Sequence, residues 1–304
     1  MSSPCAEFRR AQPLLGTIVS ISVVAPHADI ARAAVSAGFE AVARVQGAMS
    51  FHDPGSDLSR IHRDAWRKPV PVGADTHRVL RAAVALSRAT QGVFDCTVAP
   101  RLVAEGRLPC PDGAPRPAAG ADWRAIDLSR AGHVALQAPV WIDLGGIAKG
   151  YALDAAAAAL RSAGAWGFRM DAGGDLRIRM PEPEPVHVRH PTAPGCFFPV
   201  GRLRDGAVAT SAPYADETGL WWGIVDPRVG ARLAEVSSVS VFAARGLWAD
   251  ALTKIVMLAP DLSARLARRL HATAIVLRGD GAGEVCDGRL RPSARWTVRG
   301  GDNA

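Results

Sequence analysis

Lysine is scarce in this chain of 304 residues, although the chain is basic. Lysine and arginine together number 36, and only three of these are lysines, at positions 68, 149 and 254. The formal net charge of +7 would attract an anionic partner. The arginines are scattered, with no block of like charges and no nucleic-acid-binding motif, so the sequence disfavours nucleic acid as the partner. An anionic small molecule accounts for the charge equally well.

The sequence also lacks cysteine pairs and long apolar runs. It has no CxxC and no Cys/His spacing of a metal site, which excludes a zinc ribbon or a disulfide framework and indicates a reducing environment. No stretch reaches the roughly 18 to 20 apolar residues of a membrane-spanning helix. The first 12 residues are charged and lack the apolar segment of a secretory signal. We therefore expect a cytoplasmic protein without a membrane anchor.

What remains is the composition of an ordinary globular protein, with 48% hydrophobic and 21% charged residues. A chain of this length can form one large domain or two lobes, each with a core. Strand-like and helix-like segments mix without the regular alternation of a doubly wound sheet, which favours a mixed α/β fold of the α+β class with two lobes. The segment 108–120, rich in Pro, Gly and Ala, is the candidate join between the lobes.

Hydrophobic periodicity predicts the individual elements. Helices are expected over residues 28–49, 76–90, 247–258 and 264–270. Strands are expected over residues 14–24, 206–214, 220–230 and 236–243, and on both sides of a Gly-Gly turn in 168–180. Residues 181–185, P-E-P-E-P, are expected to form an extended loop. In segment 50–61, Ser56 or Asp57 could cap a short helix.

The central motif of the chain is the segment 141–154, W-I-D-L-G-G-I-A-K-G-Y-A-L-D. A hydrophobic run over 134–142 predicts a strand, Gly145 and Gly146 interrupt it, and residues 151–160 predict a helix. Free N–H groups and the positive end of the helix dipole favour an anion, usually phosphate, at such a turn. Many glycine turns only close a helix, so the motif alone leaves both interpretations open. Lys149 favours the anion site, because almost every other basic position is arginine.

Seven segments occur in the order found in one protein family. They are S-F-H-D-P-G-S-D-L-S-R-I (50–61), G-V-F-D-C-T-V-A-P (92–100), I-D-L-G-G-I-A-K-G-Y-A-L-D (142–154), D-A-G-G-D (171–175), A-T-S (209–211), I-V-D-P-R-V-G (224–230) and A-D-A-L-T-K (249–254). With these segments the chain resembles the ApbE-type FAD:protein FMN transferases from residue 15 to about 258. The resemblance implies a domain over 13–260, completed by a C-terminal extension over 261–304.

The resemblance also implies a reaction. FAD would be the substrate, Mg²⁺ the cofactor, and an acceptor flavoprotein the partner, whose threonine or serine hydroxyl would receive FMN while AMP is released. Positioning and neutralisation of charge supply most of the catalysis in phosphoryl transfer of this kind.

Residue by residue, the resemblance assigns three groups of site residues. The flavin-nucleotide contacts are Leu15, His52, Val93, Phe94, Asp95, Asp143, Lys149 and Ile224; the metal ligands are Gly146, Ala148 and Asp250; and the catalytic lysines are Lys149 and Lys254. Each assignment has a structural alternative. Asp143 could instead have a purely structural role that stabilises the glycine turn, and Asp250 could be an acid in the first turn of a helix. Phe94 and Ile224 could be core residues, and His52 an exposed loop residue.

Three positions depart from the family pattern. Lys254 stands where the family has a metal-binding threonine, with Thr253 one place early and turned by about 100° on the helix. An ammonium there could repel Mg²⁺, replace it, or pair with Asp250 at i,i+4. Gly223 replaces a histidine that could act as base, and His52 replaces a tyrosine. These departures keep two alternatives open: an FAD-binding protein that transfers nothing, and an enzyme that hydrolyses FAD to FMN and AMP.

Overall fold

Nine strands of one antiparallel sheet form the main framework of the protein, in the order β1-β2-β6-β7-β8-β9-β10-β11-β12. The structure is a computed structural model that describes residues 5–193, 195–212, 224–229, 237–279, 282–287 and 295–297. The strands of this sheet are β1 Ala6–Leu14, β2 Thr17–Ala25, β6 Gly167–Ala172, β7 Asp175–Arg189, β8 Phe197–Ser211, β9 Ser237–Ala243, β10 Thr273–Arg278, β11 Ala282–Asp287 and β12 Arg295–Thr297. A second sheet has three short strands, β3 Val70–Pro71, β4 Ile126–Asp127 and β5 His133–Leu136.

Helices cover the sheet rather than alternate with its strands. They are α1 Ala28–Met49, α2 Asp57–Asp64, α3 Ala74–Ala89, α4 Ala99–Ala104, α5 Ala148–Ser162, α6 Gly246–Leu258 and α7 Pro260–Leu270. Helix α1 packs on α5, α5 packs on α6, and α6 packs on β8 and β9. Every strand pairing among the described residues is antiparallel, so the predicted α+β class is confirmed. Within the described part of the chain, no helix has both the length and the apolar character to cross a bilayer.

The core lies between the helices and the large sheet. Ile21, Phe168 and Met170 on the strands are fully buried, as is Leu160 on α5. Alternation along β2 puts every second side chain into this core, which is the period-two pattern that predicted a strand there. The burial of α1 follows the same logic at helical spacing, and its predicted range of 28–49 is confirmed.

Three predictions of local structure were wrong. The strand expected over 14–24 is split, because Leu15 and Gly16 have positive φ angles of 56° and 69° and form the turn of the β1–β2 hairpin. Residues 181–185 belong to β7 rather than to a loop, and the pairing with β8 shifts register between Arg179 and Glu184, which accommodates the prolines. The strand expected over 134–142 ends at Leu136. The strand expected over 220–230 is described only at 224–229.

Candidate active site

Helices α5 and α6 cross with their backbones in contact. A Cβ atom on Gly150 would lie 2.1 Å from the carbonyl oxygen of Gly246, and a Cβ on Gly246 would lie 2.4 Å from that of Gly150. Real Cβ atoms do not approach backbone so closely, so glycine is required at both positions. The crossing fixes the first turn of α5, which carries Lys149, against the helix that carries Asp250 and Lys254.

Each of the two helices supplies a carboxylate to the N-terminus of the other. Asp154 of α5 accepts the N–H of Gly246 at 2.8 Å and that of Leu247 at 3.1 Å. Asp250 of α6 accepts the N–H of Gly150 through Oδ2 at 3.0 Å. Both pairs satisfy N–H groups that the helices themselves leave without partners, and both place negative charge at the positive end of a dipole. The structural alternative considered for Asp250, an acid in the first turn of its own helix, is wrong, because α6 begins at Gly246 and has no acid in its first turn. The Asp250 carboxylate instead caps the N-terminus of α5.

The glycine turn before α5 is held by Asp143. Its N–H donates to the carbonyl of Cys96 at 2.8 Å, and its Oδ1 accepts the N–H of Gly145 at 3.0 Å. Burial raises the pKa of this carboxyl group, while the Gly145 N–H and the positive charges of Arg107 and Lys254 oppose the rise. The turn-stabilising role considered from the sequence is therefore present. The flavin contact stays a prediction.

The side chain of His62 also holds the segment that leads into the glycine turn. Its Nε2 accepts the N–H of Ile142 at 2.8 Å, and the side chain is buried. Burial lowers the pKa of the imidazole from 6.5 to about 4, although the carbonyl oxygen of Ile142, which lies 3.1 Å from Nε2, opposes this shift. The neutral ring thus fixes the residue immediately before Asp143.

Protonation of His62 should make the protein sensitive to acid. The unfolded chain takes up this proton near pH 6.5 and the folded chain only near pH 4, so the stabilisation is full above 6.5 and is lost as the pH falls towards 4. The expected loss is about 3 kcal/mol of unfolding free energy. Urea unfolding at several pH values should show a shallower decline for His62→Gln than for the unchanged protein. The same substitution at exposed His27 should leave the slope unaltered, and equal slopes for all three proteins would contradict the prediction.

Lys149 extends from the first turn of α5 and pairs with a buried carboxylate. Its Nζ lies 2.9 Å from Oδ2 of Asp175, whose side chain is only 3% exposed. The other oxygen of Asp175 accepts the N–H of Thr210, in the A-T-S segment, at 3.0 Å. Burial lowers the pKa of Lys149, but the negative charges of Asp175 and Asp250 outweigh it, and the pKa is raised overall. The ammonium is therefore charged and held, with 30% of the side chain still exposed.

Lys254 pairs with Asp250 at i,i+4. Its ammonium donates to Oδ1 of Asp250 and, at 3.0 Å, to the carbonyl oxygen of the same residue. Thr253 is fully buried on another side of α6, where its hydroxyl donates to the Asp250 carbonyl and lies 2.7 Å from Oγ of Ser211. The predicted difference in direction between Thr253 and Lys254 is confirmed.

Two cavities flank the glycine turn, and Asp143 lines both of them. The first is mainly apolar and contains Val93, Phe94, Asp95, Gly146, Ile224 and Lys254 among its lining residues. The second, of about 510 Å³, contains Leu15, His52, Ala148 and Lys149. We refer to these two cavities together as the cleft. Every described residue of the predicted site except Asp250 lines it, and Asp250 is hydrogen-bonded to Lys254, which lines the first cavity. Gly223 lies outside the described residues.

Sequence reasoning missed three supporting residues. Arg107 lines the apolar cavity, and its charge acts on Asp143. Gln46 accepts the N–H of Leu15 through Oε1 at 2.6 Å and holds the hairpin turn at the rim of the larger cavity. Asp175 was visible as the last residue of D-A-G-G-D, but nothing in that motif indicated its pairing with Lys149.

The residues around Asp250 do not fit Mg²⁺. This ion requires oxygen ligands at about 2.0 to 2.1 Å in near-octahedral geometry. One carboxylate oxygen of Asp250 is bonded to the ammonium of Lys254, and the other to the N–H of Gly150. Among the residues that the structure describes, no three His, Cys, Asp or Glu side chains form a cluster suited to a metal ion. Asp250 therefore has no carboxylate oxygen without a hydrogen bond that could complete a set with the predicted carbonyl ligands Gly146 and Ala148.

The fold and the cavities together define an α+β protein in which a lysine in the first turn of a helix lies beside a glycine turn and two cavities. The chain belongs to the ApbE family, whose profile matches residues 15–277. It is 27% identical over 262 residues to the FAD:protein FMN transferase of Haemophilus influenzae, covering 78% of this chain and 76% of the relative. It is 26% identical over 280 residues to the enzyme of the same name from Vibrio cholerae, covering 82% and 80%.

Solved structures agree with this assignment. The ApbE protein of Thermotoga maritima superposes with a TM-score of 0.76 at 27% identity, over 92% of this chain and 96% of that one. The flavin transferase ApbE of Vibrio cholerae superposes with a TM-score of 0.75 over 90% and 94%, and at 21% identity this second likeness concerns the fold.

Proposed function

We propose that this protein is an FAD:protein FMN transferase. The observation that carries the proposal is the pair of cavities that flank the glycine turn and share Asp143, with Lys149 beside them. FAD has the corresponding form, because two ring systems are joined through a pyrophosphate. The turn and the N-terminus of α5 suit the pyrophosphate, and each cavity suits one ring system. The curated relatives named above carry the same activity in their names.

Lys149 has the central role in this proposal. Its ammonium neutralises the pyrophosphate, and Asp175 restricts its position so that little is lost when the ligand binds. Val93, Phe94 and Ile224 provide apolar contacts in one cavity, while Leu15 and His52 line the other. Asp95 lines the first cavity, and its Oδ1 accepts the N–H and the hydroxyl of Thr97.

The transfer forms one bond and breaks one. The acceptor hydroxyl oxygen bonds to the phosphorus of the FMN moiety, the bond from that phosphorus to the bridging oxygen breaks, and AMP leaves with the bridging oxygen. The hydroxyl proton requires a base. We assign this role to Asp143, because it lies where the two cavities meet and burial raises its pKa, which makes its carboxylate a stronger proton acceptor.

Mass spectrometry of an acceptor tests the proposal. A protein that carries the family's flavinylation threonine is incubated with this protein, FAD and Mg²⁺, and should gain the mass of one FMN while AMP appears in equal amount. Asp143→Asn should reduce the rate of transfer by a larger factor than it weakens FAD binding. FAD that stays bound and unchanged beside an unmodified acceptor would contradict the proposal.

Two of the three departures from the family pattern define the competing outcomes. Lys254 and Gly223 favour a protein that binds FAD without transfer, which would bind FAD and release no AMP. A hydrolase would release AMP when no acceptor is present. Measuring AMP with and without the acceptor separates all three functions in a single experiment.

A further inference from the structure

We infer that the ammonium of Lys254 takes the place of a divalent cation, so that FMN transfer by this protein needs no divalent metal. The inference rests on the proposed function for its reaction, and on the contacts of Asp250 and Lys254 for its chemistry. It accounts for the misfit between Mg²⁺ and the residues of this cleft.

Lys254 and a metal ion would compete for the same carboxylate oxygen. Asp250 is 1% exposed, and its Oδ2 is committed to the N-terminus of α5 through Gly150. The other oxygen, Oδ1, accepts the ammonium of Lys254, which lines the first cavity. A dication on Oδ1 would lie within a few ångströms of that ammonium, at a partly buried position where solvent screens the repulsion weakly.

Lys254 also neutralises the buried charge of Asp250, which a metal ion would otherwise have to do. Without it, the only described hydrogen bond to the buried Asp250 carboxylate would come from a backbone N–H, and the ammonium of Lys149, which acts on Asp250, pairs directly with Asp175. A buried charge that loses its ion-pair partner is strongly unfavourable. A threonine at position 254 would leave that charge for a cation to neutralise. A lysine supplies the cation as part of the chain.

The ammonium is in position to act on the ligand as well. Lys254 lines the apolar cavity together with Asp143 and Gly146, and its Cε would lie 3.8 Å from a Cβ built on Gly146. A lysine has three N–H donors, and among the described residues two of them are directed at Asp250. The third can donate to a phosphate oxygen beside the glycine turn. Lys149 approaches the turn from α5 and Lys254 from α6, so the pyrophosphate would receive two fixed positive charges.

Metal dependence of the transfer is the first test. The full-length protein is incubated with FAD and acceptor in EDTA or in Mg²⁺, and the transfer rates should agree within about twofold. In Lys254→Thr, EDTA should abolish transfer and Mg²⁺ should restore it by at least about tenfold. Lys68→Thr makes the same substitution at an exposed lysine outside the cleft and should behave like the unchanged protein.

Binding of Mn²⁺ followed by electron paramagnetic resonance gives a readout that does not depend on transfer. With FAD present, the unchanged protein should take up no tightly bound Mn²⁺, and Lys254→Thr should take up one. If EDTA stops transfer by the unchanged protein and Mg²⁺ restores it, or if that protein binds Mn²⁺ in the cleft, the inference fails while the proposed function stands.

The two failures are distinguishable. If no protein transfers FMN under any condition, the proposed function fails, and Mn²⁺ uptake by the unchanged protein still decides whether Lys254 excludes the metal. If Lys254→Thr does not fold, the EDTA and Mn²⁺ results for the unchanged protein decide the question without it.

Discussion

Gly150→Ala should lower the free energy of unfolding by about 3 kcal/mol or more. The added methyl group would lie 2.1 Å from the carbonyl oxygen of Gly246, 2.4 Å from its carbonyl carbon and 2.8 Å from Cβ of Asp250. Two of these atoms are backbone and the third belongs to a buried residue, so none can move without separating α5 from α6. Separation would also break the hydrogen bond from Gly150 to Asp250.

A second helical glycine provides the matched control. Gly47 lies in α1, is exposed, and has no atom within 4 Å of a Cβ built on it. Gly47→Ala should therefore raise stability by up to about 1 kcal/mol, because alanine loses less entropy than glycine in a helix. Urea unfolding followed by circular dichroism measures both variants. An unchanged midpoint for Gly150→Ala would mean that the helix crossing tolerates a side chain.

Lys149→Met should weaken FAD binding by about 100-fold, which corresponds to about 3 kcal/mol. The substitution removes the charged donor that we assign to the pyrophosphate and keeps the apolar stem of the side chain. It should also destabilise the protein by about 2 kcal/mol, because Asp175 would be left buried without the ammonium that lies 2.9 Å from it. Calorimetric titration with FAD and thermal unfolding measure the two effects.

The double variant Lys149→Met with Asp175→Asn separates binding from stability. A neutral amide at position 175 can still accept the N–H of Thr210, so most of the lost stability should return. FAD affinity should remain low, because no cation has been restored. If the double variant regains FAD affinity, or if Lys149→Met alone binds FAD normally, Lys149 does not contact the ligand as proposed.

Elements with a strong local period could be predicted from the sequence. Helix α1 was expected over the range in which it occurs, because its apolar residues recur at helical spacing along 22 residues. Strand β1 was missed, because its sequence A-E-F-R-R-A-Q-P-L contains three charged residues and it lies at an edge of the sheet with much of its surface exposed. β7 was interrupted in the prediction by three prolines that a register shift accommodates.

The candidate site was predictable only where motifs mark it. The glycine turn and Lys149 were recognised from residues 141–154, and the cap at Ser56 is confirmed by the hydrogen bond that its hydroxyl accepts from Ser59. The partners of these residues were not predictable, because Asp175 and Asp250 are brought to α5 by folding over long sequence separations. The sequence also did not indicate that position 150 must be glycine, because this requirement arises only from the close approach of Gly246 in the folded protein.

Because α5 and α6 cap each other, the cleft can form only after both helices have been translated. The glycine turn and Lys149 leave the ribosome well before Asp250 and Lys254. Until α6 has emerged, Gly150 lacks the carboxylate that accepts its N–H, and Asp154 has no helix to cap. A nascent chain that has not reached Leu258 therefore contains the motif without the binding site.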